Sequence, residues 1–290
     1  MCNYCYSYSP IRCANFVVQN RHYMEILGYI LAALVGVSLG LIGSGGSILT
    51  VPILVYIMGV EPVMATAYSL FIVGSTALVG GIQSALQKKV DFKTVFIFGI
   101  PSILAVYATR LWLVPFIPDE IMQIGTFSLT KPIALMLLFA VVMIMASVTM
   151  ILPGKKSEEQ DEDAQMQYNY PMILLEGTVV GVLTGLVGAG GGFLIIPALV
   201  ILARMPMKLA VGTSLFIIAA KSLIGFTGDL QGSESIDWTL LGGFTLSAVI
   251  GIFGGIILSK KISGDKLKTG FGWFVLVMGI YIIVKETLLK

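Results

Sequence analysis

The stretch GLIGSGG at residues 40–46 occurs a second time, as GLVGAGG at residues 185–191. The likeness extends beyond these clusters, because residues 36–80 align without a gap to residues 181–225 at a constant offset of 145 residues. Both copies are apolar, and glycine interrupts both. A duplicated hydrophobic unit broken by glycine is typical of membrane transporters that are built from internal repeats.

The composition excludes an ordinary soluble protein. Hydrophobic residues make up 57% of the 290 residues and charged residues only 12%, and the mean hydropathy is +0.93. One soluble core could not bury that much apolar surface. The net charge of +2 is too small to indicate nucleic-acid binding. We therefore predict an all-α integral membrane protein and not a soluble enzyme.

Apolar stretches of about 20 residues are long enough to cross the hydrocarbon core, and they predict eight membrane-spanning helices. These lie at residues 25–43, 63–87, 94–115, 131–152, 171–188, 208–229, 238–259 and 267–287. Two shorter apolar stretches, 47–58 and 192–203, directly follow the glycine clusters. They are too short to cross as single helices, so we predict broken or re-entrant helices at the glycine-rich loops.

The apolar pattern divides the chain into four parts. We predict a mobile N-terminal extension at residues 1–23, a first transmembrane repeat at 24–152, a polar cytoplasmic linker at 153–170 and a second transmembrane repeat at 171–290. The acidic linker is typical of a solvated, disordered loop. An alternative for the extension is that native translation starts at Met24.

The extension contains all three cysteines and the only histidine of the chain, at Cys2, Cys5, Cys13 and His22. Their spacing fits no standard zinc arrangement, and the segment has no core of its own to hold a metal. We therefore predict no metal site and no cofactor.

The charges of the loops orient the predicted spans. With the short stretches counted, each repeat has five segments, and an odd number inverts the second copy relative to the first. One side then collects Lys88, Lys89, Lys93, Lys155, Lys156, Arg204, Lys208, Lys260, Lys261, Lys266 and Lys268. The other side has only Arg12, Arg21, Lys131, Lys285 and Lys290. Because the richer side is usually cytoplasmic, we predict two inverted repeats in the inner (cytoplasmic) membrane, with both termini outside.

The glycine clusters are the candidate substrate site. Each ends a long helix and begins a short one, whose N-terminus offers free backbone N–H groups and the positive end of the helix dipole. Glycine also lets a ligand approach the backbone closely. Two inverted copies would direct two such termini at one central anion site. The candidate residues are Gly43, Ser44, Gly45, Gly46 and Ser47 in the first cluster and Gly188, Ala189, Gly190, Gly191 and Gly192 in the second.

Two other interpretations of the clusters are weaker. Small residues also allow tight helix packing in any membrane bundle, but packing alone does not explain why both copies break a helix. The spacing of the glycines superficially resembles a dinucleotide fingerprint. That fingerprint follows a β-strand, however, whereas these clusters follow apolar helices.

The clusters and their flanks resemble those of the sulfite exporter TauE/SafE family of membrane permeases. The features that carry the resemblance are the repeated cluster followed by Pro52 or Pro197, and the segment 213–216 matched by 68–71. The resemblance covers essentially residues 24–290. It implies a secondary transporter for a sulfur-containing anion such as sulfite, thiosulfate or an organosulfonate, with the repeats enclosing the pathway.

Polar side chains inside the spans complete the candidate site. Lys221 is centred in its span, where a buried lysine is expected to attract an oxyanion. The alternative is a structural ion pair with Glu176, although helix rise places the two residues at different depths. Ser69, Thr213 and Ser214 could donate hydrogen bonds to a substrate or only to their own helix backbone.

These observations together predict a secondary active transporter that moves a small sulfur-containing anion by alternating access around a central site formed by two glycine-rich helix N-termini. We expect proton coupling, with Glu176 and Asp229 as the coupling candidates, and we expect Arg110 to extend to the membrane interface. A passive anion channel of the same architecture is the alternative. An intramembrane enzyme is disfavoured, because the spans contain no histidine, no cysteine and no carboxylates paired at one depth. The expected partners are the anion and the lipid bilayer, and no nucleic acid.

Overall fold

The chain is described here by a computed structural model. It covers residues 10–43, 45–124, 127–151, 170–192, 194–196, 199, 205–230, 236–258 and 264–288. The helices are α1 (Pro10–Ile42), α2 (Thr50–Tyr56), α3 (Pro62–Leu86), α4 (Phe92–Ala108), α5 (Val114–Phe116), α6 (Lys131–Ile151), α7 (Tyr170–Val187), α8 (Met207–Asp229), α9 (Trp238–Leu258) and α10 (Gly264–Leu288). A 3₁₀ turn at Gly45–Leu49 precedes α2, and a π-helical turn at Thr109–Leu113 joins α4 to α5.

The prediction of a nearly all-helical, multi-pass membrane protein is confirmed. Six helical segments are long and apolar enough to cross a membrane: Met24–Leu41, Pro62–Leu86, Phe92–Phe116, Lys131–Ile151, Leu209–Asp229 and Trp238–Leu258. The two remaining predicted spans, 171–188 and 267–287, fall on α7 and α10. One departure from all-α structure is an antiparallel hairpin, β1 (Glu120–Ile124) and β2 (Phe127–Thr130), which joins α5 to α6.

The start of the first helix differs from the expectation. α1 begins at Pro10, so the backbone of residues 10–23 is helical and runs directly into the first span. The apolar pattern could not show this, because a helix that has already formed can extend into a polar segment, gaining one backbone hydrogen bond for each residue added. Residues 1–9 and nearly all of the predicted linker lie outside the described residues.

Glycine allows α1 and α9 to touch backbone to backbone. A Cβ added at Gly36 would collide with the carbonyl oxygen of Ala248, and one added at Gly40 would lie 2.5 Å from the carbonyl oxygen of Ile252. The residue numbers of the two helices rise together along the contact, so α1 and α9 run parallel. Such close approach is typical of small-residue packing in membrane helices.

α7 and α4 make the equivalent contact in the other half of the molecule. A Cβ at Gly181 would lie 2.6 Å from the carbonyl oxygen of Ser102, and one at Gly185 would lie 2.7 Å from Cβ of Thr109. These two glycines are the repeat counterparts of the two glycines in α1. With the short segment after each glycine cluster counted, α1 and α7 are the first helices of the two repeats, and α4 and α9 are the fourth. The first helix of each repeat thus packs against the fourth helix of the other.

α3 and α8, the two most buried of the candidate spans, are counterparts that run in opposite directions. Gly74 of α3 faces Leu223 of α8, whereas Gly81 faces Phe216. The residue numbers of α3 therefore rise as those of α8 fall. The fifth helices, α6 and α10, are also antiparallel, because Gly272 faces Ile151 and Gly279 faces Ile144.

Candidate functional site

The first glycine cluster reverses the chain at the end of α1. Gly43 has a φ of +82°, a conformation that favours glycine, and its N–H donates to the carbonyl oxygen of Leu39 at 2.8 Å. The 3₁₀ turn that follows folds back along α1. Its Gly46 lies so close to α1 that an added Cβ would sit 2.5 Å from the carbonyl oxygen of Val35. The turn therefore depends on glycine for both its direction and its close packing.

The second cluster makes a sharper turn after α7. Gly188, Gly190 and Gly191 all have positive φ, at +74°, +67° and +62°. The N–H of Gly188 donates to the carbonyl oxygen of Thr184 at 2.8 Å, which ends α7. The carbonyl oxygen of Gly191 accepts from the N–H of Ile195 at 3.2 Å, so helical hydrogen bonding resumes at once. The second cluster thus interrupts the helical hydrogen bonding between Val187 and Ile195.

Each cluster packs against the third segment of the other repeat, which is α8 for the first cluster and α3 for the second. A Cβ at Gly43 would collide with Val211 of α8, and one at Gly188 would lie 2.5 Å from the carbonyl oxygen of Thr66 in α3. Thr66 and Val211 are repeat counterparts, as are the two glycines. The two halves of the molecule therefore make this contact reciprocally.

The two clusters meet between α3 and α8. A Cβ added at Gly190 would lie 2.6 Å from Val73 Cγ1 in α3, 3.4 Å from Ile218 Cγ2 in α8 and 3.6 Å from Cβ of Ser47 in the first cluster. Val73 and Ile218 are themselves repeat counterparts. Gly190 and Ser47 thus lie where equivalent positions of the two repeats come together.

Lys221 lies beside the second cluster and is completely buried, with 0% exposure. Its Nζ donates a hydrogen bond to Oγ1 of Thr184 at 3.0 Å, and it would lie only 2.8 Å from a Cβ added at Gly191. An ammonium group has three N–H donors, and the described residues occupy one of them. The site therefore combines a buried cation, a hydroxyl group and buried glycine backbone.

The structural ion pair with Glu176 is not formed. Glu176 lies eight residues before Thr184 in α7, about two helical turns away. Its Oε2 is buried and has no hydrogen-bond partner in the described part of the chain. This leaves Lys221 beside a neutral hydroxyl instead of a carboxylate.

Of the three hydroxyl candidates, Ser69 is uncommitted within the described ranges. It is fully buried, and its Oγ has no hydrogen-bond partner there. It lies one turn along α3 from Thr66, which packs on Gly188. Ser69 therefore remains available to a ligand at the clusters.

The other two hydroxyl groups form hydrogen bonds within the protein, Ser214 as donor and Thr213 as acceptor. The Oγ of Ser214 donates to the carbonyl oxygen of Val211 at 2.8 Å, within its own helix. The Oγ1 of Thr213 accepts from the N–H of Asp91 at 2.9 Å, which ties α8 to the start of α4. Both contacts are structural. Ser44, also predicted, lies outside the described residues.

The expectation that Arg110 extends to the interface is wrong. The residue is only 2% exposed, and its Nη1 donates to Oδ1 of Asp229 at 3.4 Å. Gly228 makes room for it, because a Cβ there would lie 3.0 Å from Cβ of Arg110. The carboxylate on the neighbouring helix attracts the guanidinium group inward, away from the headgroups. Asp229, a predicted coupling residue, is thus half of an ion pair.

Glu286 is a buried carboxylate that the sequence analysis missed. It is 3% exposed, and its Oε1 accepts from the hydroxyl of Tyr56 at 3.1 Å. Helical spacing could have revealed it, because Val275 and Ile282, both fully buried, lie on the same face of α10.

Comparison with known proteins agrees with this architecture. The chain is 32% identical over 257 residues to a probable membrane transporter protein of Xylella fastidiosa, covering 86% of this chain and 91% of that protein. It is 29% identical over 272 residues to the probable membrane transporter protein YunE of Bacillus subtilis, covering 88% of this chain and 93% of that protein. A probable membrane transporter protein of Methanocaldococcus jannaschii is 27% identical over 274 residues, with 89% and 94% covered.

No solved structure matches the chain significantly. The family model described as sulfite exporter TauE/SafE matches residues 29–282, which is most of the chain and includes both glycine clusters. The duplicated clusters, the membrane-spanning helices and this match lead to one conclusion: the chain belongs to the sulfite exporter TauE/SafE family.

Proposed function

We propose that the protein is a secondary active transporter that moves a small sulfur-containing anion, such as sulfite, thiosulfate or an organosulfonate, across the cytoplasmic membrane. The family description and the names of the relatives support transport in general. The family description and the buried cation of the site support this particular class of anion. An enzyme is disfavoured, because the family description and the names of the relatives indicate transport.

The buried ammonium group of Lys221 is the observation that carries this proposal. Taking a charge out of water costs several kcal/mol unless an opposite charge or several hydrogen bonds compensate. Among the described residues, Thr184 alone provides a hydrogen bond to it. An oxyanion bound at the two remaining donors would supply the missing negative charge. Ionisable residues inside membrane proteins are functional as a rule.

The glycine clusters complete the proposed binding site. Gly190 and Gly191 lie at the point where the repeats meet, and their backbone N–H groups could donate hydrogen bonds to an anion there. The helical stretch that resumes after Gly191 would direct its positive dipole end toward the same point. Ser69 adds a hydroxyl donor from α3. These features suit a small, multiply hydrogen-bonded oxyanion.

Alternating access would arise from the two repeats exchanging conformations. The antiparallel counterparts α3 and α8, and the reciprocal packing of each cluster on the other repeat, support an inverted arrangement. In such an arrangement a central site can open first to one side and then to the other. A passive anion channel would use the same site without this exchange.

Proton coupling is the remaining part of the proposal. Glu176 is the stronger of the two predicted coupling residues, because Asp229 already pairs with Arg110, whereas Glu176 Oε2 has no hydrogen-bond partner in the described segments. Glu176 also lies in α7, the helix that carries Thr184. Protonation there would change the charge of the helix that lines the site.

The direct test is uptake by proteoliposomes that contain the purified protein. Labelled sulfite, thiosulfate and methanesulfonate should each be assayed with and without a proton gradient, with sulfate and chloride as competitors and protein-free liposomes as the control. We expect at least one sulfur anion to accumulate above its external concentration when the gradient is present. Flux that never exceeds equilibrium would establish the channel instead, and no flux of any sulfur anion would contradict the proposed substrate class.

The orientation can be tested by cysteine labelling in intact cells. With Cys2, Cys5 and Cys13 replaced by serine, a membrane-impermeant maleimide should label Asp119→Cys but not Lys88→Cys. Both positions are exposed, on opposite ends of the bundle. Permeabilised cells, in which both variants should react, provide the control. Labelling of Lys88→Cys in intact cells would reverse the proposed topology.

A further inference from the structure

Arg110 is a buried cation whose hydrogen-bonding capacity is largely unmet. Its single described partner is Oδ1 of Asp229, reached by Nη1 at 3.4 Å. Paired arginine and carboxylate groups usually form two parallel hydrogen bonds of about 2.7–2.9 Å. Here Nε and Nη2 of Arg110 and Oδ2 of Asp229 are buried, and none has a hydrogen-bond partner within the described residues.

The two unpartnered nitrogens form one edge of the guanidinium group. Nε–H and Nη2–H point in the same direction and are spaced to receive two oxygen atoms of one oxyanion. Asp229 occupies the opposite side of the group, at Nη1. The edge that faces away from the ion pair is therefore the edge that is suited to an anion.

The position of Arg110 relates it to Lys221. Both residues lie in the group of helices α4, α7 and α8, since Gly228 of α8 packs on Arg110, while Thr184 of α7 accepts the hydrogen bond of Lys221. Lys221 and Asp229 are eight residues apart on α8, about 12 Å along the helix axis. The C-terminal end of α8 is the end that the loop charges predict to lie outside. Arg110, beside Asp229, is thus closer to the outer side than Lys221 is.

The scaffold does not require this ion pair. Ser84 is the repeat counterpart of Asp229 at the offset of 145. The contacts of Gly36 with Ala248 and of Gly181 with Ser102 place the fourth helices at an offset of 146, so Ile256 is the counterpart of Arg110, and the other half of the molecule has the same helices without either charge. A π-helical turn at Thr109–Leu113 carries Arg110, whereas α9 is a regular α-helix up to Leu258. π-helical turns occur frequently at functional sites.

We infer that the Nε and Nη2 edge of Arg110 is a second, outer binding site for the transported oxyanion, which an anion occupies on its way between the outer side and Lys221. This inference rests on the proposed function. Asp229 holds the guanidinium group in place and repels the bound anion. This repulsion keeps the affinity of the outer site low. Permeation requires binding that is weak enough for the anion to leave, so the anion can pass from the outer site to Lys221.

The test uses Arg110→Lys and Asp229→Asn in the full-length protein, reconstituted in one orientation, with sulfite, thiosulfate and methanesulfonate as the probes. Arg110→Lys keeps the positive charge but loses the two parallel N–H donors at Nε and Nη2. It should raise the KM for anion presented from the outer side by at least about tenfold and leave the inner KM nearly unchanged. Asp229→Asn should change outer affinity in the opposite direction, tightening it severalfold. Asp119→Asn, an exposed change of the same charge, is the matched control.

A purely structural ion pair predicts a different pattern. Both variants would then lower thermal stability together and shift both KM values alike, and that result would overturn the inference. If Arg110→Lys does not fold, Asp229→Asn decides alone, because an unchanged or weaker outer affinity in this variant would also contradict the outer site. If the unsubstituted protein transports none of the three probes, the proposed function fails, which is a separate outcome from failure of the outer site alone.

Discussion

The two glycine clusters share one backbone plan but have different chemical surroundings. In the second repeat, Gly191 lies against the hydroxyl of Thr184 and the ammonium group of Lys221. In the first repeat, the counterpart Gly46 lies against the backbone of α1. The counterpart of Lys221 is Thr76, whose hydroxyl donates to the carbonyl oxygen of Ile72 within its own helix at 2.7 Å.

This difference separates the requirements of the scaffold from those of the site. Features present in both copies, such as the chain reversal and the packing on the opposite third helix, belong to the fold. Features present in one copy, such as the buried cation and its hydroxyl partner, are not needed to build the helices. At the central site, the second repeat is therefore expected to carry most of the binding.

The largest effect should come from Lys221→Met. Removing the charge should lower anion affinity by at least about tenfold, since hydrogen bonds to charged groups contribute about 1.5–3 kcal/mol. Stability should stay the same or rise, because Met fills a similar volume without an uncompensated buried charge. Anion-dependent thermal stabilisation of purified protein measures both quantities.

The matched control for that change is Thr76→Met in the first repeat. It should leave affinity nearly unchanged, because the Thr76 hydroxyl bonds only its own helix. If Thr76→Met weakened binding as much as Lys221→Met, the two repeats would contribute equally and the comparison would fail.

The next largest effect is expected from alanine substitutions in the two clusters, which should lower anion binding in one and stability in the other. Gly191→Ala should strongly weaken anion binding, because its Cβ would displace Nζ of Lys221, which lies 2.8 Å away. Gly46→Ala should instead mainly lower thermal stability, because its Cβ would lie 2.5 Å from the carbonyl oxygen of Val35 in α1. Binding isotherms and melting curves should be recorded for both.

A positive φ of +62° also makes Gly191→Ala somewhat unstable. The decisive quantity is therefore the ratio of lost binding to lost stability, which should be clearly larger for Gly191→Ala. Equal ratios in the two variants would mean that both clusters are packing surfaces.

The smallest effect is expected from Thr184→Val. It removes the hydroxyl that accepts from Lys221 while keeping the shape of the side chain, so the ammonium group loses its described orienting partner. Affinity should fall severalfold, corresponding to about 1 kcal/mol. Thr184→Ser should restore it. A loss that serine does not restore would show that the methyl group, not the hydroxyl, matters here.

Much of the fold could be predicted from the sequence, because the bilayer requires long apolar helices and the duplication shows which segments correspond. Glycine and helix length alone drew attention to Lys221 and to the chain turn at Gly188, which has a positive φ. Thr184 could not be identified as the partner of Lys221, since the contact joins two helices through tertiary packing. The prediction for Arg110 was wrong for the same reason, because its partner Asp229 is distant in the chain and only packing brings the two together.

The backbone contact between α1 and α9, and its equivalent between α7 and α4, have a genetic consequence. Every nucleotide change that replaces a glycine codon with that of another residue adds a side chain, and at Gly36, Gly40, Gly181 or Gly185 that side chain would overlap a neighbouring helix. These contacts require glycine at equivalent positions of both copies, whereas the counterparts Thr76 and Lys221 differ. The glycines that allow close helix packing are thus also the residues by which the two repeats can still be recognised as copies in the sequence.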